Sequence, residues 1–297
     1  MPAPMAPMLA TTGPLPTGGN WAFEAKWDGV RCLAAFDSRL RLWARSGTEI
    51  TLRYPEISDL VLPPGTILDG EIVVLDNGVP RFELLASRMH NDRPPAALVG
   101  RLPVTFMVFD APRLAGEDLC PVPYAGRRDR LDALALEHPH VLVPPTFDDG
   151  AATFAASGEL GLEGVIAKRL SSGYQPGVRS ADWVKHKHEY TMDCVVGGWR
   201  PGARRIGALL VGSPTDEGLL YRGRVGGGIS AATERHLLAL LEPLEQPTSP
   251  FAELPPAEDR RGAHWVAPLV TVEVAYGEET LAGRLRFPRL RKVVEDA

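Results

Sequence analysis

The sequence predicts an α+β fold followed by a smaller, β-rich domain, and three features of the chain lead to that prediction. Short strand-like runs, such as LDGEIVVL and VTFMVFD, alternate with Ala/Leu-rich helical stretches such as GRRDRLDALALE. After DWVKHKHEY the chain reads as strands, with one helical stretch, SAATERHLLALLEPL, among them. Gly and Pro separate these runs throughout. We therefore expect a first domain at 1–189 and a small β-barrel domain at 190–297.

Composition limits the class of protein. The 297 residues are 44% hydrophobic and 23% charged, which suffices for one large or two ordinary packed domains. No window approaches the roughly 18 apolar residues of a membrane span, and the first residues, MPAPMAPMLATTGPLPTGG, lack the pattern of a secretory signal. The three cysteines lie far apart, which argues against a zinc site and a disulfide framework. We expect a cytoplasmic protein.

The first candidate functional segment is EAKWDGVR, from Glu24 to Arg31. It places a lysine, an aspartate and an arginine around a glycine in a stretch too short for a helix. Lys26 is the candidate nucleophile of this segment. A lysine has a reference pKa of about 10.4, so covalent work at neutral pH requires roughly 4 to 5 kcal/mol of differential stabilisation. A metal ion and neighbouring cations can supply much of it.

Carboxylates appear in two later strand-like runs. Because side chains alternate along a strand, Asp69 and Glu71 in LDGEIVV share one face, and LEGVIAK places Glu163 shortly before Lys168. Rim charges at a strand end are the alternative interpretation. Oxygen ligands beside phosphate-binding cations suit magnesium or manganese better than zinc.

The run DWVKHK places two lysines on one strand face. Trp183, Lys185 and Lys187 point one way along the strand, and the intervening side chains point the other way. Like charges so close together suit a wall that binds phosphate. A solvated strand edge protected by lysines is the alternative. The sequence contains neither a P-loop nor a G-x-G-x-x-G turn, so a nucleotide would have to be bound by another device.

Taken in order, these segments resemble the ATP-dependent DNA ligases of the covalent nucleotidyltransferase superfamily. KWDGVR matches the family signature K-x-D-G-x-R, and ARSG, LDGEIV, FMVFD, EGVIAK and WVKHK follow in the family's order. The likeness covers nearly the whole chain and is greatest to small bacterial ligases, free-standing or fused, that are associated with end-joining repair. It implies an adenylation domain followed by an OB-fold domain.

The resemblance implies a three-step reaction. Lys26 would attack the α-phosphate of ATP, expel pyrophosphate and hold AMP through a phosphoramide bond. AMP would pass to the 5′-phosphate of a nick, and the 3′-hydroxyl would then displace it. Asp28, Lys185 and Lys187 match the other catalytic positions of the family, the two lysines at the α-phosphate.

The resemblance also implies a nucleotide-binding and metal-binding set. Glu24 would recognise the adenine edge and Phe109 would stack on adenine; from the sequence alone, a strand-edge acid and a core aromatic are the alternatives. The other implied positions are Arg31 and Arg45 at the ribose and phosphates, Lys168 at the nucleotide, Glu71 at the ribose and metal, and Glu163 at the metal, which would be Mg²⁺ or Mn²⁺.

The final residues depart from the family pattern. The family usually ends in R-x-D-K, whereas this chain reads RKVVEDA: Asp296 is in place, but Val294 and Ala297 stand where an arginine and a lysine are expected. Arg286, Arg289 and Lys292 are the candidates to replace those cations at the pyrophosphate. Without that replacement, we expect self-adenylation to be the step that suffers most.

Partners follow from the same resemblance. The basic stretches GGWRPGARR and GRLRFPRLRK would contact the backbone of nicked or broken duplex DNA. We expect a monomer that works at the nucleoid and is recruited by a Ku-like protein or a repair polymerase. Two alternatives stay open. The first is an RNA ligase or capping guanylyltransferase, which the choice of nucleotide would distinguish from a DNA ligase. The second is a non-catalytic DNA-end-binding relative, which would show no covalent labelling.

Overall fold

The structure is a computed structural model that describes residues 5–294. It divides the chain into two compact units, the first ending at Lys187 and the second beginning at His188. The α+β prediction is confirmed, since helices and strands alternate in the first unit and strands dominate the second. Within the described residues, no helix has the length and apolar character needed to cross a bilayer.

Over residues 5–187, the first unit contains twelve strands, four α-helices and two short 3₁₀ turns. Its strands are β1 (Leu9–Thr12), β2 (Trp21–Ala25), β3 (Val30–Phe36), β4 (Leu40–Ala44), β5 (Thr66–Val73), β6 (Leu75–Asp76), β7 (Val79–Pro80), β8 (Thr105–Leu114), β9 (Glu117–Asp118), β10 (Val141–Leu142), β11 (Gly164–Arg169) and β12 (Arg179–Lys187). Its helices are α1 (Phe82–Met89), α2 (Ala96–Arg101), α3 (Tyr124–Asp132) and α4 (Gly150–Glu159), and the 3₁₀ turns are Thr51–Arg53 and Pro55–Ile57.

Two larger sheets form the first unit. The first sheet has the order β1-β12-β11-β2, and the second has the order β10-β8-β5-β3-β4, with β9 paired to β8. Strand β5 is buried along nearly its whole length. At Gly70 an added Cβ would lie 2.4 Å from the Met107 carbonyl oxygen, so glycine lets β5 and β8 approach closely.

The sheets meet through a small aromatic cluster. Phe109 from the second sheet and Trp183 from the first are both buried, with ring centroids 6.3 Å apart in an edge-to-face arrangement. Tyr174 and Met8 complete this cluster. The opposite face of the second sheet packs on the main core of the unit. Fully buried members of this core include Leu42, Leu68, Phe106 and Val108.

A buried ion pair attaches α3 to the second sheet. The Arg127 guanidinium donates to both carboxylate oxygens of Asp110, at 2.8 and 2.9 Å, and both side chains are fully buried. The same guanidinium donates to the carbonyls of Val122 and Ser172. Arg127 therefore links β8, α3 and the segment that follows β11.

The second unit contains nine strands, two α-helices and one 3₁₀ turn within the described residues. Its strands are β13 (Tyr190–Arg200), β14 (Ala208–Thr215), β15 (Gly218–Val225), β16 (Glu245–Gln246), β17 (His264–Val266), β18 (Thr271–Tyr276), β19 (Glu278–Glu279), β20 (Leu285–Arg286) and β21 (Arg289–Val294). Its helices are α5 (Ala231–Leu241) and α6 (Ala257–Arg260), and the 3₁₀ turn is Glu242–Leu244.

The long strand β13 organises the second unit, because it pairs with β14, β17 and β18. Ser230 caps the N-terminus of helix α5, because its hydroxyl accepts from the Thr233 amide, and the helix buries Leu237, Leu238 and Leu241 against the sheet core. Over residues 188–294 the strands are consistent with an OB-fold, but they do not close into the barrel that the sequence predicts. Closure is incomplete because the strand ladder runs outward to β15 and β16, which are not paired with each other.

Removing the Asp110 carboxylate should destabilise the first unit strongly. Asp110→Ala leaves the Arg127 guanidinium buried without its counter-charge, which typically costs about 3 to 5 kcal/mol. Urea denaturation of both proteins gives the free energy of unfolding.

The matched control is Glu117→Ala, which removes an ion pair to Arg130 with side chains 61% and 42% exposed. That change should cost less than about 1 kcal/mol. Equal losses for the two variants would contradict the role assigned to the buried pair.

Candidate active site

A cleft of about 840 Å³, part of it open to solvent, lies between the two sheets of the first unit. It brings together eight of the residues that the sequence singles out: Glu24, Lys26, Arg31, Arg45, Glu71, Phe109, Lys168 and Lys185. With Arg179 the cleft presents six cationic side chains against two carboxylates, so it favours an anionic ligand.

Lys26 lies just beyond the end of β2, and its position is fixed by the neighbouring strand. Its backbone N–H donates to the carbonyl of Gly164, at 2.9 Å, so the lysine is held beside the start of β11. Its ammonium group and that of Lys187 both form ion pairs with Glu163. Burial by itself would raise the pKa of Glu163, but the Lys26 charge and the hydrogen bonds from both lysines outweigh it and lower that pKa.

Lys185 is one of three cations of the cleft, with Arg45 and Arg179, that form no ion pair with a carboxylate among the described residues. It lies on β12 opposite Ile166 of β11 and points to the cleft, as the strand periodicity predicts. Burial, followed by the charges of Lys187 and Lys26, lowers the pKa of Lys185. An anion bound between these lysines would relieve their repulsion.

Glu24 and Lys168 form a buried pair deeper in the cleft. Their charged atoms lie 2.9 Å apart, and each side chain is at most 5% exposed. The Lys168 ammonium also donates to the Phe109 carbonyl at 2.9 Å and lies 4.4 Å from the centre of the Phe109 ring. Burial lowers the pKa of Lys168 despite the opposing effect of Glu24. The Tyr124 hydroxyl donates to Glu24.

Arg31 is held by a bidentate ion pair. Its guanidinium donates to both oxygens of Asp69 at 2.6 Å, and Asp69 also accepts from the Tyr174 hydroxyl at 2.6 Å. The guanidinium lies over the Phe109 ring, 4.6 Å from its centre. Arg31 is therefore oriented before any ligand binds, and it presents a planar cation beside Phe109.

Glu71 is the acidic group most altered by its surroundings. Burial raises its pKa to about 7, against the opposing charges of Arg31 and Lys26. Across the described residues, no group of three His, Cys, Asp or Glu side chains could hold a metal ion. Two carboxylates, Glu71 and Glu163, would still fit Mg²⁺ or Mn²⁺ if phosphate oxygens and water supply the other ligands.

The other candidate residues lie outside the cleft lining. Asp28 lies in the turn between β2 and β3, where its charge helps to raise the pKa of Glu71. In the second unit, Arg286 forms an ion pair with Glu278, and Arg289 forms one with Glu189. The remaining residues of the altered C-terminal segment are Lys292, which lies 3.4 Å from Glu273, Val294, which ends β21, and Asp296 and Ala297, which lie outside the described residues.

Sequence reasoning missed several side chains that complete the site. Arg179 lines the cleft and donates to the Ala10 carbonyl at 2.6 Å. Tyr124 and Tyr174 hold Glu24 and Asp69 from outside the cleft. Arg179 falls on the same strand face as Lys185 by periodicity, so that signal was present. The tyrosines gave no comparable signal, because their partners are distant in the sequence.

Two family models match the chain. The ATP dependent DNA ligase domain matches residues 7–187, and the ATP dependent DNA ligase C terminal region matches residues 202–297. Among curated proteins, the chain is 42% identical over 294 residues to the multifunctional non-homologous end joining DNA repair protein LigD of Mycobacterium tuberculosis, covering 95% of this chain and 37% of that protein. It is 38% identical to LigD of Mycolicibacterium smegmatis, covering 99% and 39%. The chain thus spans less than two fifths of these relatives.

Two solved structures of DNA ligases match this chain over nearly the whole length of both chains. A mycobacterial DNA ligase D complexed with ATP and MES is 41% identical, with a TM-score of 0.57 and coverage of 99% of this chain and 96% of that one. A Lig E DNA ligase is 20% identical, with a TM-score of 0.65 and coverage of 93% of both chains, which shows a shared fold.

Glu71→Gln should become more stable relative to the unaltered protein as the pH rises from 5 to 8. In the folded protein the pKa of Glu71 is raised to about 7. The protonated Glu71 therefore contributes its full stability to the unaltered protein below the unfolded-state pKa, and this contribution is lost as the pH rises through 7. Glutamine never ionises, so the difference in free energy of unfolding should grow by about 1 to 3 kcal/mol. Denaturation at both pH values, without nucleotide or metal, measures it; a constant difference would contradict the assignment.

Proposed function

The chain belongs to the ATP-dependent DNA ligases, and from this membership we propose that it seals breaks in duplex DNA through AMP carried on Lys26. The observation that carries the proposal is the cluster at the end of β2, where Lys26 and Lys187 share Glu163 beside a cleft rich in cations. A nucleophile at the mouth of a site that favours phosphates is the arrangement that nucleotidyl transfer needs.

In the proposed first step the Lys26 nitrogen, after losing its proton, attacks the α-phosphorus of ATP. A phosphorus–nitrogen bond forms, the bond to pyrophosphate breaks, and AMP remains on the lysine. Lys185 and Lys187 would hold the α-phosphate, since Lys185 lines the cleft near Lys26 and Lys187 shares Glu163 with Lys26. Their charge offsets the negative charge of the transition state, and Asp28 completes the proposed catalytic set.

The nucleotide would be held by the remaining residues of the cleft. Glu24 would accept from the adenine edge, Phe109 would stack on the base, and Lys168 would support both. Arg31, already oriented by Asp69, and Arg45 would contact the ribose and phosphates. At the pyrophosphate, Arg286, Arg289 and Lys292 would replace the cations that the C-terminal segment lacks.

We propose Mg²⁺ or Mn²⁺ as the metal, with Glu71 and Glu163 as its protein ligands. The metal would supply charge neutralisation at the phosphates. Glu163 already binds two ammonium groups, so a cation there competes with Lys26 and Lys187 for the carboxylate.

Nicked or broken duplex DNA is the proposed acceptor of AMP. Its 5′-phosphate would displace Lys26 from AMP, and its 3′-hydroxyl would then displace AMP and close the strand. The names of the LigD relatives support a role in non-homologous end joining. We further propose that a monomer acts at the nucleoid in the cytoplasm, recruited by a Ku-like protein or a repair polymerase.

Lys26→Arg should abolish covalent labelling by α-labelled ATP. Arginine keeps a cation beside Glu163 and so retains the ion pair, but it does not form the phosphoramide. The unaltered protein should gain the mass of one AMP in the presence of a divalent metal, and the variant should show at least about a thousandfold less label. Intact mass and peptide mapping measure both.

Arg130→Lys is the matched control, because Arg130 forms an exposed ion pair with Glu117 and does not line the cleft. It should label normally. Absence of AMP from the folded, unaltered protein would refute the proposed function; a normal rate with ATP would also show that the altered C-terminal residues do not slow the first step.

Binding to nicked DNA should weaken steeply with salt. Backbone-directed binding releases counterions, so the dissociation constant should rise at least about tenfold between 50 and 200 mM salt. Replacing Arg200, Arg204 and Arg205 together by alanine should reduce that slope, whereas Arg130→Ala on the first unit should leave it unchanged. Fluorescence anisotropy at several salt concentrations tests this, and binding that is independent of salt would contradict it.

A further inference from the structure

Tyr124 is a fully buried tyrosine that touches the proposed nucleotide site from behind. It is the first residue of α3, and its hydroxyl donates to Oε1 of Glu24, a hundred residues away in the sequence. Its ring also lies against the Lys168 ammonium, 4.8 Å from ring centre to nitrogen. One side chain thus contacts both members of the buried Glu24–Lys168 pair.

These contacts occupy one carboxylate oxygen of Glu24 and leave the other for a ligand. Tyr124 and Lys168 both approach Oε1, so Oε2 is the oxygen that can accept from a molecule in the cleft. Glu24 lines the cleft although its residue is only 4% exposed. A carboxylate held in this way cannot turn freely to suit a different ligand.

The phenol is anchored independently of any ligand. The Tyr124 N–H donates to the Ser172 carbonyl at 2.8 Å, and the Arg127–Asp110 pair fixes α3 one turn later. Burial, reinforced by the Glu24 charge, raises the pKa of Tyr124 well above its usual value, so the hydroxyl stays protonated and remains a donor.

We propose that Tyr124 is a positioning residue for nucleobase selection, which rests on the proposed function. It acts through Glu24. By holding Oε1, it directs Oε2 to accept from the 6-amino group of adenine. A 6-oxo purine would place an oxygen acceptor against this carboxylate, and two acceptors facing each other repel.

The test compares Tyr124→Phe with the unaltered protein in the rate of Lys26 labelling over a range of nucleotide concentrations. Two substrates are used, ATP and purine riboside triphosphate, which lacks the 6-amino group. Phenylalanine keeps the ring against Lys168 and removes the hydroxyl alone. The KM for ATP should rise about tenfold, the KM for purine riboside triphosphate by less than about twofold, and kcat should be retained.

Tyr221→Phe is the matched control, because the Tyr221 hydroxyl donates to a buried carboxylate, Asp259, at 3.0 Å in the second unit. It should change neither KM. An equal rise for both substrates with Tyr124→Phe would assign the tyrosine a structural role and overturn the proposal, as would no rise at all.

Glu24→Gln provides a second test that does not depend on the folding of Tyr124→Phe. With the amide oxygen held by Tyr124 and Lys168, the amide nitrogen faces the ligand as a donor, so preference should shift at least about tenfold from ATP toward inosine triphosphate, a 6-oxo purine. In the Glu24→Gln background, adding Tyr124→Phe should reduce the preference for inosine triphosphate over ATP. Retained preference for ATP would overturn the proposal.

Failure of the inference and failure of the proposed function give different results. If the unaltered protein does not form the Lys26 adenylate, the proposed function fails, and with it the premise of the inference. If the adenylate forms and the variants keep their nucleotide preference, only the inference fails.

Discussion

Buried charge must be paired, and this requirement shapes the first unit. Arg31 with Asp69, Arg127 with Asp110 and Lys168 with Glu24 lie at the junction of the two sheets, where an unpaired charge would cost several kcal/mol. Each pair joins segments that are distant in the sequence. Each pair lies within one sheet or joins α3 to the second sheet. Contacts such as the hydrogen bond from the Lys168 ammonium to the Phe109 carbonyl then connect the two sheets beside the cleft.

The cleft obtains its chemistry from the charges that these pairs do not neutralise. Three of the five lysines in the chain line the cleft, and Lys185 has no carboxylate partner among the residues that the structure describes. Glu163 joins Lys26 and Lys187, so the candidate nucleophile is held in place before a nucleotide arrives. A phosphate entering the cleft meets cations that are already positioned, which reduces the reorganisation needed for reaction.

Periodicity and motif order were sufficient for much of this description. Alternation along β12 predicted that Trp183, Lys185 and Lys187 share one strand face, and Trp183 and Lys185 of that face line the cleft. The structure also confirmed the predicted α+β first unit and β-rich second unit. The strands of the second unit are consistent with the predicted OB-fold, whereas the incomplete closure of its sheet was not predictable, because strand texture does not specify which edges pair. The roles of individual residues, Lys26 among them, stay predictions that the labelling experiments test.

The sequence by itself determined the family, the strands and the candidate nucleophile, because these depend on neighbouring residues and on the order of short motifs. Tertiary structure alone decided which charges are neutralised and which remain available. The hydrogen bond from Tyr124 to Glu24 spans a hundred residues, and the bond from Tyr174 to Asp69 spans slightly more. Such contacts depend on which distant segments lie next to each other in the folded chain, and no local pattern in the sequence specifies this.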